Sequence, residues 1–380
     1  MSDLDFDVVV AGAGPAGSLA ARGLARRGAK VLLADRSSFP RWKVCGACLG
    51  PGASAALEAT GLSAIPRILE AVPLAHLTLV SGGRQARVAL RGNRALSRES
   101  LDAALVEAAV AAGVEFRAGC RVSLAEPVGG GGLEVVLRGA WDGSVRVGAL
   151  VDATGLAGGL CGPPPDVSVR SRVGLGAVFE GAPPDLRAGD LRMVVAPSGY
   201  AGFVRDERDR LTVAAAVDAP ALHGRSPADV VTDILRASSA SGGAAAAGAF
   251  DLSSPLHGWK GTPLLTRRRS PPARPGIFRV GDAAGYVEPF TGEGMGWAMG
   301  SGLAVVPFVE SWLVGRADAG RAWVRAYEAQ AAAAQRFCRA VSWALRRPSL
   351  VDTSVRLLRR RPSLAAPFVA AGSVPSHGFS

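Results

Sequence analysis

Three groups of residues in this chain have the types and spacing to do chemistry. The first is Gly12-Ala13-Gly14-Pro15-Ala16-Gly17, with Asp35 following after roughly twenty residues. In that pattern Gly12 permits a tight turn, Gly14 lets the backbone approach a diphosphate, and Gly17 allows close packing of helix on strand. Asp35 can accept hydrogen bonds from a ribose, which suits NAD and FAD equally. The second group is Gly281-Asp282-Ala283-Ala284-Gly285, continued by Pro289 and by Thr291-Gly292-Glu293-Gly294-Met295. The third is the segment Pro40-Arg41-Trp42-Lys43-Val44-Cys45-Gly46-Ala47-Cys48. Cys45 could donate a proton if Lys43 stabilises its thiolate, or it could simply pack. A Cys45–Cys48 redox couple is the weaker reading, because such pairs exchange well at a helix N-terminus.

The elements that must position these groups can be read from periodicity. Phe6 to Ala11 is a β-branched run. It leads through the first glycine turn into an Ala/Leu/Arg helix reaching Arg27, and Lys30 to Ala34 is a second apolar strand ending at Asp35. This is a β-α-β unit. Ser97 caps an amphipathic helix to Ala112, with Leu101, Leu105 and Ala108 on one face, and Val114 to Arg117 follows as a strand. Arg121–Glu126 and Leu133–Leu137 form a hairpin around Gly129 to Gly132, and Val145 to Val151 runs into Asp152-Ala153-Thr154-Gly155. Between about residues 165 and 265, short strands such as Gly174–Phe179, Leu191–Val195 and Leu211–Val217 alternate with Pro/Gly/Asp turns, the pattern of an inserted antiparallel sheet. Ile277 to Val280 returns to the first domain, and helix follows to about Leu345. Ala237 to Gly248 is a low-complexity loop or a poorly specified helix.

Composition narrows the classes. A chain of 380 residues with 48% hydrophobic residues can bury a core in each of two domains. Asp3, Asp5 and Asp7 stand where a secretory signal would be basic, and Val8 to Ala11 is too short to span a membrane. The expected location is the cytoplasm, with contact to a membrane surface left open. Five scattered cysteines make no disulfide framework, and His76, His223, His257 and His377 lack metal-ligand spacing. The formal net charge of +11 is concentrated late, with eight arginines and one aspartate between Arg336 and Arg361. That distribution argues against nucleic acid. Interleaved with Trp343, Leu345, Leu350, Val355, Leu357, Leu358 and Phe368, it suits an anionic membrane or an acidic carrier protein. With Pro348, Pro362 and Pro367 breaking it, it suits a capping subdomain equally well.

Taken together, the two glycine motifs resemble the FAD-dependent family that includes aromatic hydroxylases, flavin-dependent halogenases and geranylgeranyl reductases. The resemblance implies FAD held by Gly12, Gly14, Ala16, Gly17, Asp35, Arg36, Arg98, Val122, Gly281, Asp282, Pro289, Gly292, Gly294 and Met295. Asp282 would lie at the ribityl or diphosphate region, and the late glycine turn would aim a helix N-terminus at the pyrimidine edge of the flavin. A positive helix end there favours the anionic reduced form. The Lys43-x-Cys45-Gly46 segment and Thr291-Gly292-Glu293-Gly294 resemble the geranylgeranyl reductase branch, with Cys45 and Lys43 as the implied catalytic pair. The halogenase branch carries a Trp-x-Trp-x-Ile-Pro segment, which His257 to Pro263 does not match, and a lysine that the Ala53–Thr60 helix lacks.

The expected fold is α/β with an α+β insert: a Rossmann-type FAD domain, an inserted antiparallel substrate sheet and a helical C-terminus. The FAD domain would comprise residues 1–68, 94–164 and 271–312. The substrate domain would comprise 69–93 and 165–270, and the basic helical region 313–380. Tyr200 and Phe203, on one strand of the insert facing the flavin, would line an apolar substrate cavity or serve as core aromatics. With a single Gly-x-Gly-x-x-Gly, NAD(P)H would visit transiently, or a separate reductase would supply the electrons. No arginine follows shortly after Gly155, where the family would place one to help bind NADPH. The leading expectation is reduction of a carbon–carbon double bond in a hydrophobic or carrier-linked substrate. Monooxygenation of an aromatic or polyketide-type substrate is the alternative, and halogenation or a non-catalytic flavin-binding role ranks below it.

Overall fold

The computed structural model describes residues 4–129, 132–158, 160, 163–238, 251–269, 271–288, 290 and 292–366. The strand Phe6–Ala11 lies at the centre of the first sheet and pairs in parallel with Val31–Asp35 on one side and Gly143–Asp152 on the other. Val8, Val9 and Val10 are fully buried, which is why this strand reads as an unbroken apolar run rather than an alternating one. Ile277–Arg279 and Glu115–Ala118 extend the parallel array at its two ends. The hairpin of Cys120–Pro127 and Leu133–Gly139 folds over one face, packing Cys120, Val122, Leu133 and Val135 against Val9, Leu32 and Leu150.

Nine α-helices are formed among the described residues: α1 Pro15–Ala25, α2 Pro51–Ala59, α3 Ile65–Ile68, α4 Arg98–Val110, α5 Pro227–Ser238, α6 Gly294–Ala304, α7 Val306–Leu313, α8 Ala319–Leu345 and α9 Pro348–Arg360. Helices α1, α4, α7 and the start of α8 cover the other face of the first sheet, around Ala20, Leu24, Val106, Val309 and the fully buried Trp323. The indole of Trp323 donates to the carbonyl of Arg279, so α8 is fastened to the edge of the sheet by both a hydrogen bond and apolar burial.

The second sheet runs Lys260–Leu264, Arg172–Phe179, Leu211–Asp218, Gly199–Arg205, Asp190–Ala196, Val72–Ser81, Arg84–Ala95 and Cys48–Leu49. Its pairs are antiparallel except for Asp190–Ala196 beside Val72–Ser81. One face packs on α5 through Val230, Val231, Ile234 and Leu235. The opposite face, with Leu79, Met193, Val195, Tyr200 and Ala216, packs on the end of α8 and on α9 through Leu345, Val351 and Val355. The short edge strand Cys48–Leu49 pairs with Arg94 and Ala95, so the loop carrying Cys45 begins in the first sheet and ends in the second. The low-complexity segment lies outside the described residues beyond Ser238, as do Cys161, Pro367, Phe368 and His377.

Candidate cofactor site and adjoining cavity

The first glycine turn is built against the strand Gly143–Asp152. Gly12 has φ +102°, and a Cβ there would lie 2.4 Å from the carbonyl oxygen of Ala153. A Cβ on Gly17 would lie 1.9 Å from the carbonyl oxygen of Gly12, so the helix can sit this close to the turn only without side chains at either position. Gly14 is the N-cap of α1, no side chain caps its free N–H groups, and Pro15 occupies the first turn. The place a Gly14 side chain would fill lies 3.6 Å from Arg98 Nη2 and 3.7 Å from Arg41 Nη2. An open helix N-terminus facing two guanidinium groups is a cradle for a diphosphate.

Asp35 has work of its own within this cradle. Its oxygens accept from the backbone N–H of Ala13 and of Ser37, both at 2.9 Å, and Arg41 lies 3.5 Å away. It therefore fixes the glycine turn while keeping lone pairs for a ribose. Arg98 is held by two 2.8 Å hydrogen bonds to the buried Asp102, which also lies 3.1 Å from Arg41 Nη1. Arg41 is buried, and its Nε has no hydrogen-bond partner among the described residues. An orphaned cationic donor at this place fits an anionic ligand.

The second turn reaches the same place through helix packing. Gly281 has φ +56°, and its N–H donates to Ser301 on α6 at 2.8 Å. A Cβ on Gly302 would sit 2.2 Å from the carbonyl oxygen of Ala16, so α1 and α6 cross at backbone contact and bring the two turns together. Burial pushes the Asp282 carboxyl up to about 6 against the opposing pull of Arg98 and Lys43. Lys43 is drawn down to about 8, chiefly by burial and then by the neighbouring Arg41 and Arg98. Glu293, at the mouth of α6, is pushed up to about 7 by burial.

The two turns and the Arg41–Cys45 segment border one cleft of about 780 Å³. Gly12, Gly14, Ala16, Asp35, Arg36, Lys43, Cys45, Arg98, Val122, Tyr200, Gly281, Asp282, Gly292, Gly294 and Met295 line it. Gly17 lies beneath the turn and does not line it, and Pro289 and Thr291 fall outside the described residues. The cleft also has an apolar lining of Leu191, Met193, Tyr200, Leu265 and Phe290, side chains of one hydrophobic cluster on the second sheet and the segment beside it. Tyr200 packs edge-on against Phe290 at 5.0 Å. Burial and then Glu288 push its phenol well above the ordinary value, so it is a neutral wall.

Two expectations need correction. Phe203 does not reach the cavity: it is an odd number of residues from Tyr200 on the same strand, so it points to the other face and packs with Ala177, Val194 and Val213 under α5. Lys43 makes no hydrogen bond or ion pair with Cys45 or with any other described residue. Arg98 is a cation electrostatically coupled to Cys45. For Cys48, burial and then Cys45 raise the thiol to about 12, which makes it a poor nucleophile.

Sequence reasoning gave no role to Arg41 or to Trp42. The Trp42 ring carries Lys260 Nζ at 4.6 Å and faces His257 at 6.1 Å. The only signal for either was membership of the Pro40–Cys48 loop. Among the described residues, no group of three or more His, Cys, Asp or Glu could hold a metal ion.

Comparison with known proteins supports FAD as the dinucleotide of this cleft. Residues 5–143 match the family model of an FAD binding domain. A 60-residue stretch is 57% identical to the menaquinone reductase of Mycobacterium tuberculosis, covering 16% of this chain and 15% of that protein. Another, of 82 residues, is 34% identical to squalene epoxidase ERG1 of Saccharomyces cerevisiae, covering 22% of this chain and 16% of that one. The chain thus spans about a sixth of the length of each of these two relatives. The solved structure of the flavin-dependent brominase Bmp2 superposes with a TM-score of 0.77 over 99% of this chain and 94% of that one, at 16% identity. That likeness establishes the α/β fold of flavin-dependent enzymes. The glycine cradle, the paired guanidinium groups and the unpartnered Arg41 Nε suit FAD.

Proposed function

We propose that this chain is an FAD-dependent oxidoreductase that reduces a carbon–carbon double bond of an isoprenoid-type hydrophobic substrate. NAD(P)H would serve as the transient source of electrons. The observation that carries this reading is that one cleft is lined by cations at the glycine turns and by apolar side chains of the second sheet, with Cys45 among its lining residues. FAD bound there would, once reduced, supply two electrons and one hydrogen to one carbon of the double bond. The chain supplies the rest. Arg41, Arg98 and the open end of α1 hold the diphosphate, while Asp282 and the start of α6 receive the remainder of the cofactor. Tyr200, Met193, Leu191, Leu265 and Phe290 exclude water and align an apolar chain. The Cys45 thiol delivers the proton to the second carbon and is reprotonated from solvent.

The menaquinone reductase and the squalene epoxidase are both named for apolar substrates, in keeping with this compartment. The epoxidase also favours a second reading, in which the reduced cofactor activates dioxygen for insertion into the substrate. Turnover of NAD(P)H by the FAD-loaded protein with a menaquinone or a geranylgeranyl compound, run without oxygen, separates the two. The reductase reading predicts anaerobic NAD(P)H consumption matched by a product heavier by two hydrogens. Product formed only with stoichiometric oxygen uptake overturns it in favour of the second.

A further inference from the structure

We propose that the outer face of α9, with the end of α8, docks on an anionic lipid bilayer, and that the apolar substrate enters the cleft from that bilayer. The inner face of α9 is already spoken for. Val351, Val355 and Leu358 pack on the second sheet in the same apolar cluster as Met193, Tyr200 and Phe290, which wall the compartment. The helix is therefore part of the far side of the cavity, and what covers its outer face stands next to the substrate.

That outer face is unusual in two ways at once. Leu350 and Leu357, two turns apart on the same face of α9, are exposed by 39% and 51%, and Trp343 at the end of α8 and Leu364 just past α9 are exposed by 52% and 46%. Around them Arg356, Arg359, Arg360 and Arg361 are exposed, and none makes a side-chain hydrogen bond or ion pair with a described residue. Arg347 lies over the Trp343 ring at 3.6 Å, placing another cation at the same level. The one acid of the helix, Asp352, is turned to Arg84 and Ser81 on the second sheet. A helix with large apolar side chains on a surface of unneutralised arginines lies in the plane of an anionic interface, apolar groups among the acyl chains and cations at the headgroups. An acidic protein would satisfy the arginines and leave the exposed Trp and Leu in water. A bilayer satisfies both. None of the described helices is long and apolar enough to cross a membrane, so the contact is an in-plane one.

Only the entry of substrate rests on the proposed reductase reading, and lipid binding is measured without turnover. The test is sedimentation of the FAD-loaded full chain with phosphatidylcholine vesicles, and with vesicles of phosphatidylcholine and phosphatidylglycerol in equal parts. The expected result is binding to the mixed vesicles alone, lost on adding salt. Each arginine near such a surface contributes about fivefold, so R356Q/R359Q/R360Q should bind about a hundredfold more weakly. L350S/L357S should also bind more weakly, and both variants should keep their FAD and melting temperature. No binding of the wild-type chain to mixed vesicles overturns the proposal, and so does undiminished binding by the triple variant. Salt-sensitive capture of an acidic protein without vesicle binding overturns it too and assigns the face to a protein partner. Failure of the turnover assay with vesicle binding intact would instead overturn the reductase reading and substrate entry with it, and would leave lipid docking supported.

Discussion

Glycine positions in this chain differ in what they tolerate, and the difference separates folding from cofactor binding. A Cβ at Gly17 collides with backbone at 1.9 Å, whereas one at Gly14 meets only guanidinium ends at 3.6 Å and 3.7 Å. Gly14→Ala should therefore fold with a near-normal melting temperature yet bind FAD at least about tenfold more weakly, because the methyl group occupies space the diphosphate needs. Gly17→Ala should lower the melting temperature of the apoprotein itself. Flavin fluorescence titration and thermal melts read the two effects apart. Lys43 gives a pH signature. Its ammonium is held down to about 8 without ligand, and an arriving diphosphate favours the charged form. FAD affinity should thus fall as pH rises through about 8, and Lys43→Met should flatten that dependence; an unchanged slope in the variant removes Lys43 from the site. Residues like these glycines were legible in the sequence because a backbone that admits no Cβ restricts its own position to one residue type. Arg41 was not, since its partner Asp102 is remote in sequence and no local pattern announces the pair.

At the scale of elements, the strand Gly199–Arg205 teaches the most. Its existence could be read from composition, but its two aromatics were given the same pair of roles, cavity or core, although strand alternation sends Tyr200 and Phe203 to opposite faces. Phe203→Ala should cost about 3–4 kcal/mol of stability and leave FAD affinity unchanged. Chemical denaturation together with FAD titration checks this; a selective loss of FAD binding would place the ring in the cleft after all. The apolar compartment was illegible for a simpler reason: Leu191, Met193 and Leu265 have the same chemistry as any core residue, and only the fold shows that one side of each borders the cleft. Helix crossing is equally silent in sequence. Gly302 looks like a weak spot in α6 until Ala16 is found against it. Gly302→Val should push α1 from α6 and abolish FAD retention, whereas the exposed Gly129→Val, where a Cβ meets nothing within 4 Å, should not; yellow protein from both variants would refute the crossing as the device that joins the two turns.

For the molecule as a whole, pH sensitivity should be set by the buried carboxyl of Glu293. Its folded value is raised to about 7 from 4.5, so its stabilising contribution is fully present below about pH 4.5 and is lost as pH rises through about 7. The apoprotein should melt at lower temperature at pH 8 than at pH 6 through this group, and Glu293→Gln should reduce that difference. A variant whose melting profile keeps the wild-type pH slope assigns the sensitivity elsewhere. The division of the chain into two sheets was visible as a change from parallel-type apolar runs to short alternating strands, while the late return of Ile277–Arg279 to the first sheet was marked by its glycine-acid terminus. What no motif disclosed is how the sheets are tied together. The thiol-bearing segment leaves one sheet at Asp35 and is stitched to the margin of the other at Cys48 and Leu49. Any cargo that wedges the sheets apart should pull on that strap from both ends, so filling the greasy chamber is expected to change how fast a thiol reagent labels Cys45, and an unchanged rate would show the strap to be slack.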